Sequence, residues 1–382
     1  MESLFPYEKF VTGKQFVGRK TESSVLANLL RSGEHAVIYE PPKAGKTSLV
    51  QQALFNLNML NYRPLVVTMN LFNILSESDF LCTYGTSVIR SLCSTPAEYE
   101  NVVTKYLSGS HFCFDYSRFS DYDEIISMNW DIDETDFFPV LNLPVRLAAD
   151  MGKDIVVVID EFQKIACQEL GDKILRTMKK VLLESKSPSG KSTFVLCGSE
   201  VNAMKDIFRN HVYFTGTVTH VAFKPIDSTT IVDHIRSGFS VSGKVCERDV
   251  ATGPSKMFES SMWYLNHMMA ICDSLTKGYV NEGIMLEALR MLISIHEPRF
   301  RSMMSGLTGH QISFLRAIVD GETKFSSSEV IRKYRLNSSA NVIRVKEALM
   351  KKEVITFGDK DEALFLDPLF GFWVTHNYFN RK

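Results

Sequence analysis

No two cysteines in this chain form a C-x-x-C pair. The seven that occur, at 82, 93, 113, 167, 197, 246 and 272, are scattered and odd in number. That argues against a disulfide framework or a zinc site and leaves them as small core residues of a reducing compartment. Net charge is equally scarce: 43 Lys and Arg stand against 44 Asp and Glu, so the global balance points to neither nucleic acid nor a membrane surface, and any basic patch must be local. No apolar run reaches the length of a membrane span. Met1-Glu2-Ser3-Leu4-Phe5-Pro6-Tyr7 lacks the basic start and apolar stretch of a secretion signal, so a cytoplasmic location with no membrane partner is expected. What remains is a globular composition, 45% hydrophobic and 23% charged over 382 residues, enough for two or three domains with sizeable cores.

The most informative stretch is Val37-Ile38-Tyr39-Glu40-Pro41-Pro42-Lys43-Ala44-Gly45-Lys46-Thr47-Ser48-Leu49-Val50, an apolar strand running into a loop that opens a helix. A triphosphate needs inward backbone N–H groups, a mobile ammonium and a hydroxyl for Mg²⁺, and such a loop supplies all three at a helix N-terminus. Lys46 is the expected ammonium and Thr47 the hydroxyl. The N–H groups of Lys43, Ala44, Gly45, Lys46, Thr47 and Ser48 lie where ATP phosphates would sit. The usual first glycine is Glu40 here, and Pro41 and Pro42 have no N–H, but the donors that matter lie nearer the helix. Taken alone, Gly-Lys-Thr also fits a plain polar loop between strand and helix.

A second stretch narrows the choice. Asp154-Ile155-Val156-Val157-Val158-Ile159-Asp160-Glu161-Phe162 is the continuous β-branched run of a strand buried on both faces, ending in two carboxylates. At the carboxyl end of a central parallel strand, Asp160 would hold Mg²⁺ through water and Glu161 would orient and deprotonate an attacking water. A further buried strand, Thr193 to Cys197, ends in Gly198-Ser199-Glu200; Ser199 is placed to touch the γ-phosphate or the water, and equally to cap the next helix. Strands at Leu65 to Asn70 and Thr219 to Phe223 complete an α/β pattern with helices at 48–57, 78–107 and 172–185. Phe16 and Val17, in a Phe-Val-Gly-Arg turn before the first helix, are candidate contacts to the nucleotide base, or a hydrophobic staple for that helix.

Between Asp115 and Asp136 eight carboxylates face one base, Arg118, a run that reads as a solvated excursion or a partner-binding loop; it lacks the glycine and terminal glutamate of a calcium loop. Trp263, Tyr264, His267, Met268 and Ile271 form a helical stripe that reads as core, with His267 a hydrogen-bonded core histidine. From Thr308 the pattern is helix, helix, helix and two short strands around 354–356 and 364–366, the order of a winged helix-turn-helix. Between Ser326 and Lys352 seven basic residues stand against two acidic ones. Asn341, Arg344 and Lys346 are the residues offered to a DNA groove, and protein docking is the other use of such a module.

The Phe-Val-Gly-Arg turn, the phosphate loop, the Val-Val-Val-Ile-Asp-Glu-Phe strand, the Cys-Gly-Ser strand and the Lys224-Pro225-Ile226-Asp227 exit together resemble the archaeal-type P-loop ATPases. These are relatives of the AAA+ and STAND ATPases, and many occur in bacteria. The resemblance covers nearly the whole chain. It implies an α/β fold with a five-stranded parallel sheet in the order 5-1-4-3-2 over 1–226, a helical lid over 227–300 and a winged helix over 305–382. Two departures stand out. Tyr213-Phe214-Thr215-Gly216-Thr217 replaces the arginines expected before the fifth strand, with Arg209 the nearest substitute, and Ser260-Ser261-Met262-Trp263-Tyr264 replaces a Gly-Asn-Pro-like turn. Because an arginine near the γ-phosphate is worth orders of magnitude in rate, the expected activity is slow Mg²⁺-dependent ATP hydrolysis serving a conformational switch, without hexamer formation. The alternatives are a DNA-associated regulator, or a protein-interaction scaffold using the acidic 115–136 loop, with a vestigial ATPase site.

Overall fold

The computed structural model describes residues 4–114, 125–128, 131–165, 171–210, 212–358 and 360–380. The chain forms two compact units. One comprises Thr21–Glu40 and Ala53–Ala222, and the other Met1–Lys20, Pro41–Gln52 and Phe223–Lys382. No helix among the described residues is long and apolar enough to cross a membrane.

The first unit is built on a parallel sheet of β1 (His35–Tyr39), β2 (Leu65–Asn70), β3 (Ile155–Asp160), β4 (Ser192–Gly198) and β5 (Val218–His220). Their order is β5-β1-β4-β3-β2, the 5-1-4-3-2 arrangement that the resemblance implies. Every residue of β1 and β4 is buried, and in β3 all but the terminal Asp160, which is why 36–39, 155–159 and 194–197 are apolar runs rather than alternating ones. In register, Asn70 lies beside Asp160, and Tyr39 beside Gly198, so the carboxyl ends of β1, β2, β3 and β4 share one edge. The fifth strand is shorter than the expected Thr219 to Phe223: β1 offers partners only from His35 to Val37, and after Val221 N–H bonds Val37 O the chain leaves the sheet.

Around the sheet, α1 (Lys20–Ser32) leads into β1 through Gly33 at φ +78, where a Cβ would come within 2.8 Å of Lys191 Cδ. The helix after the loop, α2 (Lys46–Met59), begins in the second unit and ends in the first. The expected helix over 78–107 is two helices, α3 (Glu77–Leu92) and α4 (Pro96–Tyr106). Thr95 breaks it: its hydroxyl accepts Glu98 N–H while Glu98 reaches back to the Thr95 N–H, a capping box with proline at the first helical position. Helix α5 (Gly171–Glu184) follows β3.

In the second unit the helices are α6 (Ser228–Val241), α7 (Arg248–Met257), α8 (Met262–Leu275), α9 (Glu282–Ser305), α10 (Gly309–Val319), α11 (Ser328–Lys333) and α12 (Ser339–Lys351). An antiparallel pair, β6 (Ile355–Phe357) with β7 (Ala363–Phe365), forms the wing, and α13 (Pro368–Trp373) closes the chain. One apolar core runs through it, from Phe5, Phe239 and Phe258 to Phe300, Phe314, Phe370 and Trp373.

Candidate functional site

The phosphate-type loop belongs to the second unit. Lys43 and Gly45 both take left-handed backbone, at φ 68 and +100, and the latter is a conformation glycine adopts without steric cost. The turn is closed by Ala44 N–H donating to Pro41 O at 3.3 Å, and Lys46 Nζ donates to the same carbonyl at 3.1 Å. One of the expected backbone donors is thus used inside the loop. Gly45 and the Thr47 side chain are exposed, and nothing lies within 4 Å of where a Cβ at Gly45 would stand. Ser48 and Gln52, on the first turns of α2, hold the N-terminal segment: Ser48 Oγ accepts Val11 N–H at 3.2 Å and Gln52 Oε1 accepts Gly13 N–H at 2.7 Å.

The Phe16-Val17-Gly18-Arg19 turn has a built-in reason for its last two residues. Gly18 sits at φ +69 with its missing Cβ 2.7 Å from Ile226, so no side chain fits. Arg19 Nη1 and Nη2 donate to Lys224 O at 2.8 Å and Ser260 O at 3.2 Å, and its guanidinium lies 4.1 Å from the Phe223 ring centroid. Arginine serves here because one planar fork can satisfy two carbonyls while stacking on a ring.

Lys43 connects the loop to α8. Ser261, the N-cap of α8, donates its hydroxyl to Lys43 O at 3.4 Å, and the Lys43 ammonium lies 3.6 Å from the Trp263 ring centroid. Burial, and then the nearby Arg299, push the Lys43 pKa below that of an ordinary lysine, with Asp367 opposing. Beyond Trp263 stands Tyr264, whose hydroxyl donates to Asp367 Oδ2 at 2.8 Å and accepts from Arg299 Nη2 at 2.8 Å. Arg299 also pairs with Asp367, and Asp367 caps α13 by accepting the Leu369 and Phe370 N–H groups. The contacts therefore run from loop to α8, α9 and α13 without interruption.

Two histidines are packed into this contact region. His267 stacks on Tyr7 at 4.3 Å, and His296 meets Trp263 edge-on at 5.6 Å. His267 is half-buried rather than a hydrogen-bonded core histidine: its Nδ1, like His296 Nε2, is buried without a partner among the described residues. Burial, then Lys43 and Arg299, push His296 down to about 4; burial and then Lys43 lower His267.

The carboxylates belong to the sheet unit. Asp160 ends β3; its Oδ1 accepts the Glu161 N–H at 3.0 Å and its Oδ2 the Asn70 amide at 3.5 Å. Glu161 takes left-handed backbone at φ 57, a position that costs a non-glycine residue free energy. Ser199 Oγ donates to Glu161 Oε2 at 2.6 Å, and Gln163 Nε2 donates to the same oxygen at 2.5 Å. The structure thus brings Glu161 and Ser199 together, and Ser199 does not cap the next helix, where Glu200 holds the N-cap position with no side-chain bond. Sequence reading misses Gln163: a polar residue after Phe162 carries no sign that it is fully buried, with 0% exposure. Its Oε1 has no partner among the described residues, an omission that costs about 1–3 kcal/mol in a protein interior.

At the edge of the sheet, His220 on β5 stacks on Tyr39 of β1 at 4.0 Å, and burial first, then Arg209 and Lys205, push it down to about 4. Arg209 itself is exposed, on a π-helical turn over Asp206–Asn210. Of the acidic stretch, residues 115–124 and 129–130 lie outside the described residues. Asp133 caps the helix Glu134–Leu141, and the fully buried Asp136 accepts the N–H groups of His111 and Asp133, which makes it a structural capping residue rather than a solvated one.

The winged module commits two of its three proposed groove residues internally. Asn341 Nδ2 donates to Leu336 O at 3.0 Å, and Lys346 pairs with Asp361 at 2.9 Å while lying 3.5 Å from the Phe357 ring centroid. Arg344 is exposed. Lys333 pairs with Glu322, which neutralises part of the local positive excess, and Lys352 donates to Gly306 O.

Residues 16–251 match the family described as the ATPase domain predominantly from Archaea, and residues 298–376 match a probable winged helix domain. Among solved structures the chain is similar to a Walker-type ATPase of Pyrococcus abyssi, with 16% identity and a TM-score of 0.63, covering 97% of this chain and 99% of that one. It also aligns with the Orc1 protein of Aeropyrum pernix solved in complex with DNA (12% identity, TM-score 0.47, 94% and 92% covered). A third alignment is with the RuvB Holliday junction branch migration motor of Thermotoga maritima (11%, 0.45, 95% and 95%). No curated protein matches the sequence.

Proposed function

The chain belongs to the family of ATPase domains found predominantly in Archaea, whose match spans residues 16–251, and from that premise we propose a slow ATPase whose nucleotide state controls the contacts of its helical segment. ATP binding and hydrolysis are the activity that the family supports. The residues suit it: an exposed left-handed glycine turn with backbone donors, a lysine and a threonine at the start of α2, and an aspartate and glutamate at the end of β3. Lys43 to Thr47 would cradle the phosphates, and Phe16 and Val17 would meet the base. Thr47 and Asp160 would hold Mg²⁺, which when bound supplies charge neutralisation at the phosphate oxygens.

In the proposed reaction Glu161 takes a proton from water as the water oxygen bonds to the γ-phosphorus. The bond from phosphorus to the bridging oxygen breaks, and ADP leaves with that electron pair. Ser199 assists through Glu161. The absence of arginine from Tyr213-Phe214-Thr215-Gly216-Thr217 supports a low rate.

The single observation that carries the switch is the contact path from Lys43 through Trp263 and Tyr264 to Arg299 and Asp367. Phosphates competing for the Lys43 ammonium would weaken its hold on Trp263, and so bias the contacts behind it. The domains by this reading are an ATPase domain over 1–226, a lid over 227–300 and a winged helix over 305–382. DNA contact by the winged helix is a second reading, and it rests chiefly on Arg344.

Thermal unfolding with and without Mg-ATP, in wild type, Lys46→Ala and Glu161→Gln, tests the reading. Wild type gains about 2.7 kcal/mol at a hundredfold excess over Kd, Lys46→Ala gains nothing, and protection in Glu161→Gln outlasts that of wild type. No gain in wild type would sink the proposal.

A further inference from the structure

We propose that Gln163 is a positioning residue for the Glu161 carboxylate, selecting which of its oxygens faces the chemistry. This rests on the reading of Glu161 as the group that takes the water's proton.

Ser199 and Gln163 both donate to Oε2, at 2.6 and 2.5 Å, and no described residue of the sheet unit donates to Oε1. One oxygen is pinned and the other keeps its lone pairs for a proton. A hydroxyl alone would leave the carboxylate free to turn about its own axis, whereas a second donor from another direction holds its plane. The Gln163 amide has only one workable orientation, because turning it over would set its oxygen against a carboxylate oxygen at that distance.

Its surroundings are built for this orientation. Gln163 lies on the 3-10 turn Phe162–Ile165 with no exposure, and its own Oε1 points at Gly198, where a Cβ would come within 2.7 Å. The same Cβ would come still closer to Met204, at 2.4 Å from Cγ, so glycine at the end of β4 leaves room for both side chains.

Phosphate release by wild type, Glu161→Gln, Gln163→Met and Gln163→Glu, each with its thermal midpoint and its Mg-ATP shift, tests the assignment. Methionine keeps the volume and an unbranched stem. For Gln163→Met, kcat falls ten- to a hundredfold while KM for ATP, the thermal midpoint and the Mg-ATP shift stay near wild type. In Gln163→Glu a second acceptor replaces the donating amide beside Oε2, so kcat falls at least as far as in Gln163→Met while KM for ATP stays near wild type.

Unchanged kcat in Gln163→Met beside a dead Glu161→Gln would overturn the positioning role and leave the ATPase reading standing. A Gln163→Met that loses its thermal midpoint and its ATP shift together would show a purely structural glutamine and overturn it too. No hydrolysis in wild type would remove the reading itself and this inference with it.

Discussion

The Lys43 ammonium sits 3.6 Å from the centre of the Trp263 ring, and the Lys43 carbonyl accepts the hydroxyl of Ser261. A residue in the phosphate loop is thereby held, at both its backbone and its side-chain end, by the start of α8. A cation over an indole is worth roughly 0.5–1 kcal/mol when exposed and about 2 when desolvated. Lys43→Ala should therefore lower the unfolding free energy by about 1 kcal/mol. It should also remove any Mg-ATP-induced change in Trp263 emission, with Trp263→Phe as the control that assigns the signal. An emission change that persists in Lys43→Ala would break the proposed route.

Asp367 does three things at once: it caps α13, accepts the Tyr264 hydroxyl and pairs with Arg299. Losing the cap alone costs about 1 kcal/mol, and Arg299 would be left without its carboxylate. Asp367→Ala is expected to cost about 2–4 kcal/mol in denaturant unfolding. In a double-mutant cycle with Arg299→Met the pair should couple by at least about 1 kcal/mol. A coupling near zero would mean that the path is adjacency without energy.

His296 gives a pH prediction with a definite sign. Its folded pKa, about 4, lies below the ordinary 6.5, so between those values the unfolded chain binds the extra proton and stability drops as pH falls. His220 adds the same slope in the sheet unit. The His296→Phe variant, which removes a buried nitrogen that has no partner, should flatten part of the loss in thermal midpoint between pH 7 and pH 5. An identical slope in variant and wild type would reject the assignment.

For the winged module the structure shifts the weight onto Arg344. Arg344→Ala should reduce binding to a short DNA duplex at low salt and lower its salt slope by about one, as loss of a phosphate contact does. Asn341→Ala should instead reduce stability, because its amide closes the Leu336 carbonyl. DNA affinity that depends on Asn341 but not on Arg344 would reverse that ranking.

Several features were legible because they are local. An unbroken β-branched run such as Ile155 to Ile159 must be covered on both faces, and a chain of such strands separated by helices must form a parallel sheet. The helix break at Thr95 was legible too, in Thr-Pro-Ala-Glu, yet a helical period read across it hid the capping box. The short β5 was not, since its length depends on how much of β1 remains exposed as a partner.

The strand-loop-helix with its Gly-Lys-Thr, the paired carboxylates at the end of a buried strand and the winged-helix pattern were readable along the chain, because they depend on periodicity, residue chemistry and motif order. The sheet order was available only as what the family resemblance implies. Folding in three dimensions settled that Gln163 shares Glu161 with Ser199, that Lys43 is held by α8 and that Asp367 joins α9 and α13. Those pairs lie up to 218 positions apart in sequence, as Lys43 and Ser261 do. Which side chains meet across such a distance is set by the packing of whole elements against one another, and no spacing along the chain encodes it.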